Sequence, residues 1–217
     1  MNSFRRKRIC ASLAIIEVLV AVAILIILAA LFLPSLSRSR PARVPSCMNN
    51  LRQIDIGLIL FASDHQERFP IEVSISNYDF PEVTNIRPAS LYFQELQPYH
   101  INPSLFICPF ETGRKAATGY PTLNNSNISY FLNADAATNY ASASLLSGDR
   151  LLRSNGTAVQ PGVFVLTHKI NVSWNPSNHA GGGSMGFADG HVEFVKAAKL
   201  TSVLQKLPVT TNRLCVP

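Results

Sequence analysis

Between Leu13 and Leu33 the chain runs for 21 residues with one charged side chain, Glu17. As a helix that length spans about 30 Å, the thickness of a bilayer's hydrocarbon core. It exceeds the apolar core of a cleaved secretory signal, about 7–15 residues, and no clean Ala-x-Ala site follows it. The run therefore predicts a retained, single-pass membrane helix over 13–33, behind a basic leader over 1–12. Arg5, Arg6, Lys7 and Arg8 precede it, and Arg38, Arg40 and Arg43 follow it. From Val44 onward 12 Lys and Arg balance 12 Asp and Glu, so the net charge of +6 belongs to the flanks of the apolar run. The natural partner of such flanks is anionic membrane lipid, and nucleic acid is not expected. The more basic N-terminal flank predicts an inside N-terminus with the body placed outside.

Pro34, Pro41 and Pro45 each lack an N–H and disfavour helix at the preceding residue, so 34–45 reads as a connector. The body, 46–217, reads as one α+β domain. Helix resumes with Ser46 as N-cap, because Leu51, Ile54, Leu58 and Phe61 recur at helical spacing and form one core-facing stripe. Arg52, Gln53, Asp55 and Gln66 are then expected to face water. Short extended pieces follow Arg68-Phe69-Pro70, and a second helical period appears at 89–99. The Thr-, Asn- and Ser-rich stretch 111–139 reads as a long surface loop holding the short strand ISYFL. Strand signals return at GVFVLTH and at SMGFADGHVEFV, where Asp189-Gly190 predicts a two-residue hairpin turn with φ > 0 at both positions.

RRKRICAS followed by LAIIEVLVAVAILIILAALFLP resembles the processing site of type IV pilins and type II secretion pseudopilins. The resemblance implies cleavage by a prepilin peptidase between Ser12 and Leu13, and methylation of the new N-terminus. It also implies pairing of Glu17 with the freed amine of a neighbouring pilin-like subunit, which sets the stagger of assembly. A carboxylate in lipid costs about 2.5–3.5 kcal/mol on insertion scales, so such a partner answers a physical need; a snorkelling or protonated side chain answers it too. Two departures stand out: the family prefers glycine where Ser12 lies, and its helix runs on past a single proline. Three further stretches, CMNNLRQIDIGLILFASDHQERFP, FICP and NHAGGGSMGFADGHVEFV, resemble prepilin-like proteins abundant in planctomycetes and verrucomicrobia. Those proteins carry a histidine, nine residues and then Asp-Gly, matched here by His179, Asp189 and Gly190; ISYFLN and SGDRLL are weaker matches in the middle of the chain. The fold implied is a long N-terminal helix, membrane-spanning and then amphipathic, packed on a small antiparallel sheet with long loops.

Other chemistry has thin support. His168, His179, Asp189 and His191 are four potential metal ligands suited to zinc. Turn chemistry explains Asp189-Gly190 without a metal, with Gly181, Gly182 and Gly183 letting a loop close over the hairpin and His179 bonding a turn carbonyl or Asp189. Asp135, Asp149 and Asp189 offer hard oxygens to calcium, but no spacing selects it. No cofactor is expected. Cys47 and Cys108 read equally as a disulfide or as two buried thiols; Cys10 lies on the leader side. No nucleophile elbow, Walker loop or HExxH motif is present, so an enzyme is not expected. The expectation is a pseudopilin-like assembly subunit; the alternative is a membrane-anchored periplasmic metal- or ligand-binding protein that does not polymerise.

Overall fold

Two sequence patterns shape the molecule: a helical apolar stripe, and strands with no polar face. The computed structural model of this chain describes residues 17–28, 43–76, 87–140, 143–176, 179 and 181–217. The chain divides into two units, 1–41 and 42–217. In the first, the described residues 17–28 lie in helix α1, and the Glu17 side chain is exposed. Among the described residues no helix is long and apolar enough to cross a membrane. Ser12, Leu13, Cys10 and the rest of the 13–33 run lie outside the described residues.

The second unit opens with helix α2, Arg43–Asp64. It begins ahead of the expected Ser46 cap and takes Pro45 into its first turn. There the missing N–H has no helical partner to lose, and the fixed φ suits the helix. Leu51, Ile54, Leu58 and Phe61 are buried in one stripe, joined by Cys47 and Ala62. Arg52, Gln53 and Gln66 are exposed, but Asp55 is not: it is 0% exposed, contrary to the expectation that it faces water. Asp55 follows Leu51 by four positions and precedes Leu58 by three, which places it on the stripe itself. After α2, Pro70 opens a short helix α3, Pro70–Ser76, where extended pieces were expected; proline favours the first helical position. Helix α4, Ala89–Gln94, stops ahead of the 3-10 turn Gln97–Tyr99.

The strands are β1 Tyr130–Asn133, β2 Leu145–Asp149, β3 Leu152–Ser154, β4 Thr157–Ala158, β5 Gly162–Thr167, β6 Val172–Trp174, β7 Gly182–Phe187, β8 Val192–Lys196 and β9 Thr211–Val216, with helix α5, Ala197–Leu204, between the last two. Six of them make an antiparallel sheet in the order β5-β9-β1-β2-β7-β8, and β4-β3-β6 make a smaller sheet. Helix α2 packs on β2, β7 and β8. The unit is thus α+β, with a helix laid across a six-stranded antiparallel sheet.

Both faces of that sheet are covered at its central strands, while Val163 and Val165 of the edge strand β5 stay exposed. Tyr130 and Leu132 join α2 and the 87–123 region in one core; Phe131 turns to the other face, packing with Trp174, Met185, Leu200 and Leu204. Successive residues of a strand point to opposite faces, so every residue of β1 is buried. The YFLN piece is therefore a central strand and not an incident in a surface loop. Gly182 and Gly183, expected in a closing loop, belong to β7 instead.

The predicted hairpin is present as β7 and β8, but its loop is longer by one residue. Phe187 N–H donates to His191 O at 3.0 Å and Gly190 N–H to Phe187 O at 2.9 Å, leaving Ala188, Asp189 and Gly190 in the loop. Only Gly190, at φ 84°, takes the left-handed conformation; Asp189 does not. A three-residue loop ending in a left-handed glycine matches strand twist as well as the expected two-residue turn does.

Candidate functional site

Four distant stretches meet in one buried cluster beside the α2 end of the sheet. Cys47 is the first fully buried residue of α2, and Cys108 follows the 3-10 turn Pro103–Phe106. Asp149 ends β2, where it pairs with Tyr130 of β1, and His179 lies just ahead of β7. Their exposures are 0% for Cys47, 2% for Cys108, 2% for Asp149 and 1% for His179.

Cys47 and Cys108 are joined by a disulfide, with Cα atoms 5.1 Å apart. His179 Nε2 faces Cys108 Sγ at 2.8 Å. The other ring nitrogen, Nδ1, lies 3.1 Å from Asp149 Oδ2, off the line of a hydrogen bond. That same oxygen accepts the Ser184 N–H of β7 at 2.5 Å, which anchors the carboxylate. The Phe110 ring meets the imidazole edge-on, centroids 4.6 Å apart. His179 itself has φ 36°, a left-handed backbone that a non-glycine residue holds only when its surroundings impose it.

The remaining candidates are placed elsewhere. Asp189 does not bond His179: its Oδ1 accepts the His191 N–H at 3.0 Å and lies 2.5 Å from His191 Nδ1. Burial alone would raise the Asp189 pKa, but the bonds from His191 outweigh it and hold this carboxyl below its ordinary range. His168 keeps a buried Nε2 with no hydrogen-bond partner. Among the described residues the convergent group of potential metal ligands is Cys47, Cys108 and His179, so of His168, His179, Asp189 and His191 only His179 belongs to it. The three aspartates considered for calcium go to three different partners. Asp135 takes the Arg213 N–H at 2.7 Å and its guanidinium, Asp149 takes the Ser184 N–H and lies beside His179, and Asp189 takes His191. Cys215 is a free buried thiol, and burial pushes its pKa up to about 12.

A second polar group enters the same side of the sheet. Asp55 Oδ1 accepts from Ser147 Oγ at 2.5 Å, while Oδ2 has no partner and lies against Gly186. A Cβ at Gly186 would come within 1.8 Å of that oxygen, so only glycine fits there. The strand register shifts between Leu145 and Ser147, bringing the hydroxyl under the helix. Burial raises the Asp55 pKa well above its ordinary value, and the Ser147 bond only partly opposes this.

Sequence reasoning named Asp149 only as an oxygen donor for calcium and not as a neighbour of His179, and it passed over Asp55, though each had a signal. Asp149 lies in the SGDRLL match, and Asp55 occupies an apolar-stripe position. No protein family, curated protein or solved structure matches this chain.

Proposed function

We propose that this protein is a prepilin-like or pseudopilin subunit of a type II secretion or type IV pilus-like system, and that it works by assembly and not by catalysis. The observation that carries the reading is Glu17, alone among charges in the 13–33 run and preceded by Arg5, Arg6, Lys7 and Arg8. A carboxylate so placed needs an opposite charge, and an amine freed by cutting between Ser12 and Leu13 supplies one from a neighbouring subunit. The α+β body, with α2 laid on an antiparallel sheet, supports the reading as a cargo for such an anchor. In this reading the apolar helix spans the inner membrane, its N-terminus is cytoplasmic, and the body is periplasmic or extracellular. The partners are a prepilin peptidase, other pilin-like subunits and membrane lipid.

Mass spectrometry of the mature N-terminus tests this. A chain beginning at a methylated Leu13 is expected; an intact leader in cells with active peptidase overturns the reading. Glu17→Ala is expected to be cleaved normally and to fail in assembly. A membrane-anchored metal- or ligand-binding protein that does not polymerise is the second reading, and the buried cluster around His179 is what favours it.

A further inference from the structure

We propose that Cys47, Cys108 and His179 form a soft-metal site in the reduced chain, with Asp149 as the carboxylate that orients the imidazole. The donors come from residues far apart in sequence, all are buried, and their ligand atoms lie within 4.8 Å of one another. The two faces of the imidazole are already sorted. Nε2 points at the sulfurs, and Nδ1 lies 3.1 Å from Asp149 Oδ2, off the line of a hydrogen bond but within reach of the N–H donation to a carboxylate that a small ring rotation on metal binding would complete. Asp149 is itself held by the Ser184 N–H, so the carboxylate is a fixed part of the fold. The left-handed backbone at His179 carries a conformational cost that the surrounding fold imposes.

Two thiolates and an imidazole select zinc-like ions over calcium or magnesium. At Zn–S of about 2.3 Å and Zn–N of about 2.0–2.1 Å, two sulfurs on one tetrahedral ion sit about 3.8 Å apart. That is wider than a disulfide permits, so the bond and the ion exclude each other. A dithiol reductant delivers two electrons and two protons to the S–S bond and is itself oxidised to a disulfide, leaving two thiols. The ion then replaces both thiol protons, which leave to solvent, and Nε2 of the neutral imidazole donates the third pair. The fourth position is open to a water. This assignment does not rest on the pilin-like reading, since it concerns the body alone.

The test uses the full chain in detergent, with Co²⁺ as the probe. The chain reduced by a dithiol and then freed of it is expected to bind one equivalent of Co²⁺, with the thiolate charge-transfer and strong visible bands of a tetrahedral site. The oxidised chain is expected to show neither, and the loaded chain to resist oxidation to the disulfide. Asp149→Asn is expected to weaken Co²⁺ binding by about 10–100-fold while keeping the bands. X-ray absorption on the zinc-loaded wild-type chain counts ligands without any variant: two sulfurs and an imidazole support the assignment. A reduced chain with no thiolate–cobalt band, or a loaded chain whose ion has sulfurs but no imidazole, overturns it.

Discussion

Among the described residues, two histidine–aspartate pairs of similar chemistry lie in opposite settings. His191 Nδ1 and Asp189 Oδ1 are 2.5 Å apart, with side chains 46% and 32% exposed. His179 Nδ1 and Asp149 Oδ2 are 3.1 Å apart, with side chains 0% and 3% exposed. By distance the hairpin pair is the stronger; by environment the order reverses. Water screens the first pair and competes for both partners, whereas no water replaces what either member of the second loses. Separation ranks contacts only within one environment.

The largest effect is expected at the buried pair. Asp149→Ala removes the partner of His179 and the acceptor of the Ser184 N–H together, and should cost on the order of 3–5 kcal/mol in chemical denaturation. A cost below 1 kcal/mol would erase the distinction between the two pairs. Next comes the covalent roof over His179: Cys108→Ser opens the Cys47–Cys108 link and should cost about 2–4 kcal/mol, read from the same denaturation midpoints. At the hairpin, Gly190→Ala must hold an alanine at φ 84°, for about 1–2 kcal/mol, visible as a lowered melting temperature. Smallest of all, Asp189→Ala should change stability by less than about 1 kcal/mol, and by less still in high salt.

Asp55 sharpens the comparison by pH. Its carboxyl is buried with one unpartnered oxygen, and its folded pKa is raised. Between the unfolded pKa near 4 and the folded one, the native state holds a proton that the unfolded state has released. Its contribution is therefore fully present below about pH 4 and declines as pH rises, by at most about 1.4 kcal/mol per unit. Denaturation midpoints across that range should fall with pH in the wild type, and Asp55→Asn should flatten the slope. Asp189 has the opposite sign: its depressed pKa gives stability that is present at neutral pH and lost on acidification.

Part of this was legible in the sequence. The stripe Leu51, Ile54, Leu58, Phe61 announces α2 because one periodicity decides which residues are inside. Asp55 was misplaced because its chemistry was weighed above its position; spacing puts it between Leu51 and Leu58. The hairpin was visible from Asp189-Gly190, although one residue of loop length separates two turns that share the same glycine signal. β1 was underrated because a strand buried on both faces shows no alternation, and YFLN is too short to say more. The cluster depends on pairings across the whole body, which no local pattern encodes. Each of its members lies in a stretch that carries the prepilin-like resemblance: CMNN for Cys47, FICP for Cys108, SGDRLL for Asp149 and NHAGGG for His179.

The disulfide has a mechanical meaning for any chain pulled from its N-terminal side. Tension arriving at Arg43 passes through about one turn of α2 and then meets Cys47, where the path divides. One branch follows the helix; the other crosses covalently to Cys108 and so to the buried segment after the 3-10 turn Pro103–Phe106. Peeling, which breaks helix–sheet contacts one turn at a time, ends at the crosslink. Beyond it the helix and the Cys108 segment must slide together, so the contacts of Leu51, Ile54 and Leu58 are loaded in parallel, and the domain resists a tug as a single block.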